Sequence, residues 1–82
     1  MRLPTGHQMR AARARAGLEQ RQVATRAKLY PSTVTRMEAA GAKPVRGHAD
    51  NVERVVDVLR RAGVEFVHEP TRGVRLIRKD KR

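Results

Sequence analysis

Residue types that perform catalysis or bind metals occur in this chain, but not at the spacings that such chemistry needs. His7, His48 and His68 are far apart in the sequence, and the chain has no cysteine. No two histidines therefore have the spacing of a helical metal site. Ser32 has no histidine or aspartate nearby in the sequence that would activate it as a nucleophile. These patterns predict neither a metal site nor nucleophilic catalysis.

Two carboxylates imitate an acid–base pair. Glu53 and Asp57 stand four residues apart on a predicted helix, a spacing that places both on one face. Arg54, Arg60 and Arg61 lie between or beside them, so a solvated, charged helix face is the simpler interpretation. We therefore expect a protein that is not an enzyme and that needs no cofactor.

Positive charge is the dominant chemical feature of the sequence. Lys and Arg number 19 against 8 Asp and Glu in 82 residues, a net charge of +11. Clustered cations bind polyanions because each phosphate contact releases condensed counterions. Nucleic acid is therefore the first expected partner, and a surface that merely keeps the protein soluble is the alternative. RNA is a weaker expectation, because one Tyr and one Phe are too few to stack unpaired bases.

Composition excludes several other classes. Without cysteine there is no disulfide framework, and no apolar run has the length of a membrane span or the form of a secretory signal. Hydrophobic residues make up 39% of the chain, which is enough for a fold with a thin core. We expect a cytoplasmic, nucleoid-associated protein without membrane contact. No separate ligand domain is expected, and hence no small-molecule ligand.

The predicted elements are mainly helical. Apolar spacing and end signals predict helices over residues 6–16, 18–28, 31–39 and about 50–62. Asp50 or Asn51 is the expected cap of the fourth helix. The pattern then becomes β-branched over 64–68 and 74–78, with a turn segment between, which predicts a β-hairpin. The sequence predicts a mainly α protein, with a four-helix domain over 1–63 and a hairpin with a charged tail over 64–82.

The most informative segment is LEQRQVATRAKLYPSTVTRME, residues 18–38. It predicts a short helix, a tight connection and a second short helix, which is a helix-turn-helix. Ala24 is small enough for the two helices to cross closely. The outward face of the second helix carries short polar side chains, Ser32, Thr33 and Thr35. Arg36 adds a side chain that can bind a guanine with two hydrogen bonds.

This segment resembles the helix-turn-helix of the Cro/C1-type family of bacterial and phage regulators, also called the xenobiotic-response-element family. Family members read Leu-Ser-Gln, then Glu-x-Leu-Ala, a Gly turn and Ser-x-Ser-Thr-Ile-Ser-Arg-Ile-Glu. The chain has Leu18-Glu19-Gln20, Val23-Ala24 and the run from Pro31 to Glu38. The resemblance covers most of residues 5–62. It implies a lambda-repressor-like domain that binds double-stranded DNA in a sequence-specific manner.

The resemblance also implies roles for individual residues. Base contacts are expected from Ser32, Thr33 and Arg36, although Ser and Thr in these places could serve only as helix caps. A buried ion pair is expected between Arg13 and Glu38. Contacts with the DNA backbone are expected from Gln20, Tyr30, Thr35, Lys43 and Arg46; for Tyr30 the alternative is a partly buried brace.

The sequence departs from the family pattern at three positions. Lys28 stands where the turn usually has a glycine, so it either adopts left-handed geometry or alters the turn. Pro31 occupies the first recognition position and cannot donate a hydrogen bond from its side chain. Glu19 replaces the family's hydroxyl. Base readout is therefore expected to shift toward the residues that follow Pro31.

The C-terminal hairpin resembles a short β element that supports dimer formation in small bacterial members. Two strands alone are marginally stable, so the hairpin must pack on a helix or pair with a second chain. Phe66, Val74 and Leu76 are the expected dimer interface. A homodimeric repressor reading an inverted-repeat operator is the leading hypothesis. The alternative is an antitoxin or antiactivator module whose hairpin binds a protein partner.

Overall fold

The computed structural model describes residues 3–67 and 73–76. Four helices are followed by a two-stranded antiparallel hairpin, so the predicted fold class is confirmed. The elements are α1 (Gly6–Ala16), α2 (Gln20–Ala27), α3 (Pro31–Glu38), α4 (Ala49–Arg61), β1 (Val64–Val67) and β2 (Gly73–Leu76). No helix in this described part is long and apolar enough to cross a membrane. His68, residues 69–72 of the predicted turn, the last two residues of the second predicted strand and the charged tail lie outside the described residues, and Gly73, predicted as the end of the turn, begins β2.

The first helix has the predicted bounds because both of its ends carry strong local signals. The Thr5 Oγ1 accepts a hydrogen bond from the Gln8 N–H (3.0 Å), and the Gln8 Oε1 accepts one from the Thr5 N–H (2.9 Å). This reciprocal pair is a capping box, which satisfies two backbone donors at once. Gly17 ends the helix in the left-handed conformation, at φ 72°.

The second and third helices are each eight residues long. Helix α2 begins at Gln20 rather than at residue 18, because Glu19 is its N-cap and has extended backbone. Helix α3 begins at Pro31, where the missing N–H of proline costs no hydrogen bond. The turn between them does adopt left-handed geometry at Lys28, which is the one described non-glycine residue with a positive φ, 61°.

The predicted cap of the fourth helix is wrong. Neither Asp50 nor Asn51 is the N-cap: the helix begins at Ala49, and His48 precedes it without a side-chain cap bond. Asp50 instead lies in the first turn, where a carboxylate interacts favourably with the helix dipole. Because an aspartate is favoured both at the N-cap and in the first turn, its presence in the sequence does not determine at which residue the helix begins.

The hairpin packs on α1 and α4, so a helix supports it, which is one of the two arrangements that the sequence allowed. Val64 and Phe66 point into the core, and Gln8 holds the far end of the hairpin: its Nε2 donates to the carbonyls of Val67 and Gly73, both at 2.9 Å. Gln8 is itself buried. The core consists of Met9, Ala12, Val23, Ala24, Ala27, Val34, Met37, Val45, Val52, Val55, Val56, Leu59, Val64 and Phe66.

The start of α1 lies directly against the end of α3. A Cβ atom at Gly6 would come within 2.5 Å of the Gly41 nitrogen and 2.6 Å of the Glu38 carbonyl oxygen. Only glycine permits backbone segments to approach this closely. Gly6 therefore sets the distance between the first helix and the third, and this role was missed in the sequence.

Candidate nucleic-acid interface

Helix α3 separates an apolar inner face from a polar outer face. Val34 and Met37 are each 2% exposed and lie in the core. Ser32 and Arg36 are exposed, and because they are four residues apart they share the opposite face. Thr33 is half-buried at the side of the helix. In the described part of the chain, no hydrogen bond or ion pair engages the Arg36 guanidinium, so it is available to a ligand.

The residues before and at the start of α3 do not act as caps or braces. The N-cap position belongs to Tyr30, whose side chain makes no cap bond. Capping is therefore not the role of Ser32 or Thr33. Tyr30 is 79% exposed, which excludes a partly buried brace. Its phenol ring stands in solvent beside the first turn of the helix.

A nearly buried ion pair joins α1 to the end of α3. Arg13 donates from Nε to Glu38 Oε2 (2.6 Å) and from Nη2 to Glu38 Oε1 (3.1 Å), and its Nη1 donates to the Leu18 carbonyl (3.1 Å). The Glu38 side chain is 7% exposed. The hydrogen bond to Glu38 raises the pKa of Arg13 above its ordinary value, although desolvation acts in the opposite direction. The stability that comes from the raised pKa of Arg13 is fully present below its ordinary pKa and is lost as pH rises through the raised value.

Gln20 extends this ion pair to the outer face of α3. Its Nε2 donates to Glu38 Oε1 (3.0 Å), and its Oε1 accepts from the Thr35 hydroxyl (2.9 Å). The Thr35 hydroxyl has an alternative acceptor in the Pro31 carbonyl, at 3.1 Å. The first residue of α2 therefore holds a polar side chain of α3 in place, and both are tied to the buried carboxylate.

The loop between α3 and α4 is fixed to the residues before α1. The Val45 N–H donates to the Pro4 carbonyl (2.9 Å), and the Gly6 N–H donates to the Lys43 carbonyl (3.2 Å). Val45 is also buried in the core. These anchors leave Lys43 and Arg46 exposed on the loop.

The residues predicted for a dimer interface lie in different environments. Phe66 is 9% exposed and belongs to the core of its own chain, and Val74 packs partly against that core. Leu76 is 38% exposed at the margin of the hairpin. Of the three, Leu76 therefore has the most surface available to a partner.

Two helices joined by a short turn, with the second helix buried on one side and polar on the other, define a helix-turn-helix. The family model described as a helix-turn-helix domain matches residues 5–68. The chain belongs to this helix-turn-helix family, which agrees with its resemblance to Cro/C1-type regulators. Membership indicates a DNA-binding regulator, a class that is typically non-enzymatic. A comparison with curated proteins gave no match.

Proposed function

We propose that the protein is a sequence-specific, double-stranded DNA-binding transcriptional regulator whose helix α3 enters the major groove. The observation that carries this proposal is the exposed face of α3, where Ser32 and Arg36 have no partner in the described part of the chain and Val34 and Met37 bury the other side. The family match supports it independently.

Base contacts come from the outer face and side of α3. Arg36 binds a guanine edge with two hydrogen bonds, which discriminates against the other bases. Ser32 is one turn away on the same face, so its hydroxyl contacts a neighbouring base pair. Thr33 lies at the side of the helix and contacts a base at the edge of the site.

Backbone contacts orient α3 in the groove. The Gln20 side-chain amide donates one of its two hydrogens to Glu38, and it donates the second to a phosphate oxygen. Thr35 lies beside Gln20 and contacts the same strand. Lys43 and Arg46 bind phosphates from the anchored loop, and Tyr30 binds one through its hydroxyl.

A homodimer would bind an inverted repeat whose half-sites are about 34 Å apart or a multiple of it, and would act as a repressor by occupying the operator. The exposed Leu76 and the hairpin edges supply the contact between protomers. The same exposed leucine would serve an antitoxin or antiactivator, whose hairpin binds a protein partner. The mass of the purified protein, alone and with candidate partners, separates these two assemblies.

The test is selection of bound sequences from a random duplex library with purified protein. We expect a palindromic consensus for the wild-type protein. Arg36→Ala should change the preferred base at one position per half-site, with a loss of about 1–3 kcal/mol there. Lys43→Ala should weaken binding to all sequences alike. Arg15→Ala, an exposed arginine on α1, is the matched control and should change neither property.

Two results would contradict the proposal. One is an Arg36→Ala protein that keeps the wild-type consensus and affinity, which would remove α3 from base readout. The other is a wild-type protein that selects no duplex and instead forms a stoichiometric complex with one protein, which would favour the antitoxin or antiactivator.

A further inference from the structure

A groove lies between the C-terminal end of α2 and helix α4, and none of its lining residues belongs to α3. It has a volume of about 590 Å³ and a floor of small apolar side chains, Ala27, Val58 and Ala62. Four cationic side chains surround the floor, and we call the whole feature the basic groove. Its cations are Arg26, Lys28, Arg54 and Arg61.

The charges of the basic groove are poorly compensated within the chain. Asp57 is the one carboxylate that lines it, and Asp57 already pairs with Arg61 at 3.1 Å. Within residues 3–67 and 73–76, no ion pair joins Arg26, Lys28 or Arg54 to a carboxylate. Like charges held together around a concave surface repel one another, so an anion bound there relieves the repulsion.

The basic groove is continuous with the start of the recognition helix. Lys28 also lines a second concavity of about 450 Å³, together with Leu29, Tyr30, Thr33 and Asn51. Arg54 stands three residues after Asn51 on α4, and therefore on the same side of that helix. A strip of polar and basic side chains thus runs from Thr33, through Lys28, to Arg54.

We propose that the basic groove binds backbone phosphates of duplex DNA outside the base pairs that α3 reads. This inference rests on the proposed function and extends its contact surface to the opposite end of α2. Lys28 is the central contact because it lines both concavities, and Arg54 is the second because it lines the basic groove one turn after Asn51. Arg26 and Arg61 extend the strip along the same strand.

The form of the groove favours a long polyanion over a small ligand. All four cations are exposed, and the Arg61 side chain is 82% exposed. A small anion gains little from such solvated charges, whereas a phosphodiester strand contacts several of them in succession and releases a counterion at each. Because the groove is continuous with the concavity beside the start of α3, the strand is part of the duplex that α3 binds.

The test compares salt dependence among three matched variants on the selected operator with long flanks. Lys28→Gln and Arg54→Gln should each weaken binding roughly two- to fivefold at low salt. Each should also reduce the slope of log K against log salt by about 0.9. The consensus sequence should not change. Arg60→Gln is the control, because Arg60 lies on the same helix and, with Arg54, lines a neighbouring acidic depression, but unlike Arg54 it does not line the basic groove.

A trimmed duplex adds a second comparison. When the DNA is shortened to the base pairs that α3 covers, wild type and both variants should bind with equal slopes. The inference is overturned if Lys28→Gln and Arg54→Gln bind the long duplex with the same slope of log K against log salt as the wild-type protein. The inference would also fail if the wild-type protein bound sodium pyrophosphate, both substitutions abolished that binding, and the salt dependence of DNA binding stayed unchanged. Failure of the wild-type protein to bind any duplex would refute the proposed function instead.

Discussion

The two ends of helix α2 handle charge in opposite ways. At the first end, Gln20 joins Glu38 and Arg13 in a network where each charged group has a partner. The second end lies about 12 Å away along the helix axis. Of Lys28 and the neighbouring arginines of the basic groove, only Arg61 forms an ion pair with a described residue. The first end is built to hold α3 in one orientation, and the second presents charge to a ligand.

Burial explains why the two ends differ. A carboxylate that is 7% exposed must be paired, because an isolated buried charge loses its hydration without compensation. Exposed cations keep their water and tolerate the absence of a partner at little cost. Substitutions in the buried ion pair at the first end should therefore change stability, and those of the exposed cations at the second end should change affinity.

The largest expected effect is that of Glu38→Gln. The substitution removes the charge that faces Arg13 and leaves a guanidinium that is only 20% exposed without its counterion. We expect a loss of about 3 kcal/mol in the free energy of unfolding, measured by urea denaturation. Glu65→Gln is the matched control: Glu65 pairs with Arg75 in solvent, so its loss should cost less than about 1 kcal/mol. Equal losses in the two variants would abolish the distinction between buried and exposed pairs.

A smaller loss is expected for Gly6→Ala, which tests how closely the start of α1 packs against the end of α3, where Glu38 lies. The new methyl group would lie 2.5 Å from the Gly41 nitrogen, so α1 and α3 must separate. We expect destabilisation of about 2 kcal/mol by thermal or urea unfolding. Gly73→Ala adds the same methyl group where nothing lies within 4 Å, and should be nearly neutral. A Gly6→Ala protein as stable as its control would show that the two helices can move apart freely.

Local patterns predicted the helices but not how they meet. Met9 and Ala12 in α1 and Val52 and Val55 in α4 have helical spacing, and all four are buried. The close approach at Gly6 depends on residues that are distant in the sequence, and no local signal encodes it.

For the candidate site, the resemblance supplied what spacing alone did not. Arg13 and Glu38 lie on different helices, and they were paired only because the family pairs them; the structure places them in contact. The turn at Lys28 had two possible geometries, and φ 61° identifies the left-handed one. Base and phosphate contacts remain predictions, since they depend on a ligand's position and not only on exposure.

The smallest expected effect, and the one of opposite sign, is that of Lys28→Gly. A non-glycine residue in the left-handed region has its Cβ too close to the following carbonyl, so glycine should stabilise the protein by about 1 kcal/mol in urea unfolding. The lost ammonium should at the same time weaken binding to long operator duplexes. Gly17→Ala is the control for backbone strain, because Gly17 has a similar φ of 72° and a Cβ atom there would meet nothing within 4 Å. This substitution should lower the free energy of unfolding by a similar amount, ~1 kcal/mol. A Lys28→Gly protein that is less stable than wild type would mean that the lysine serves the fold, and the contrast between the ends of α2 would fail.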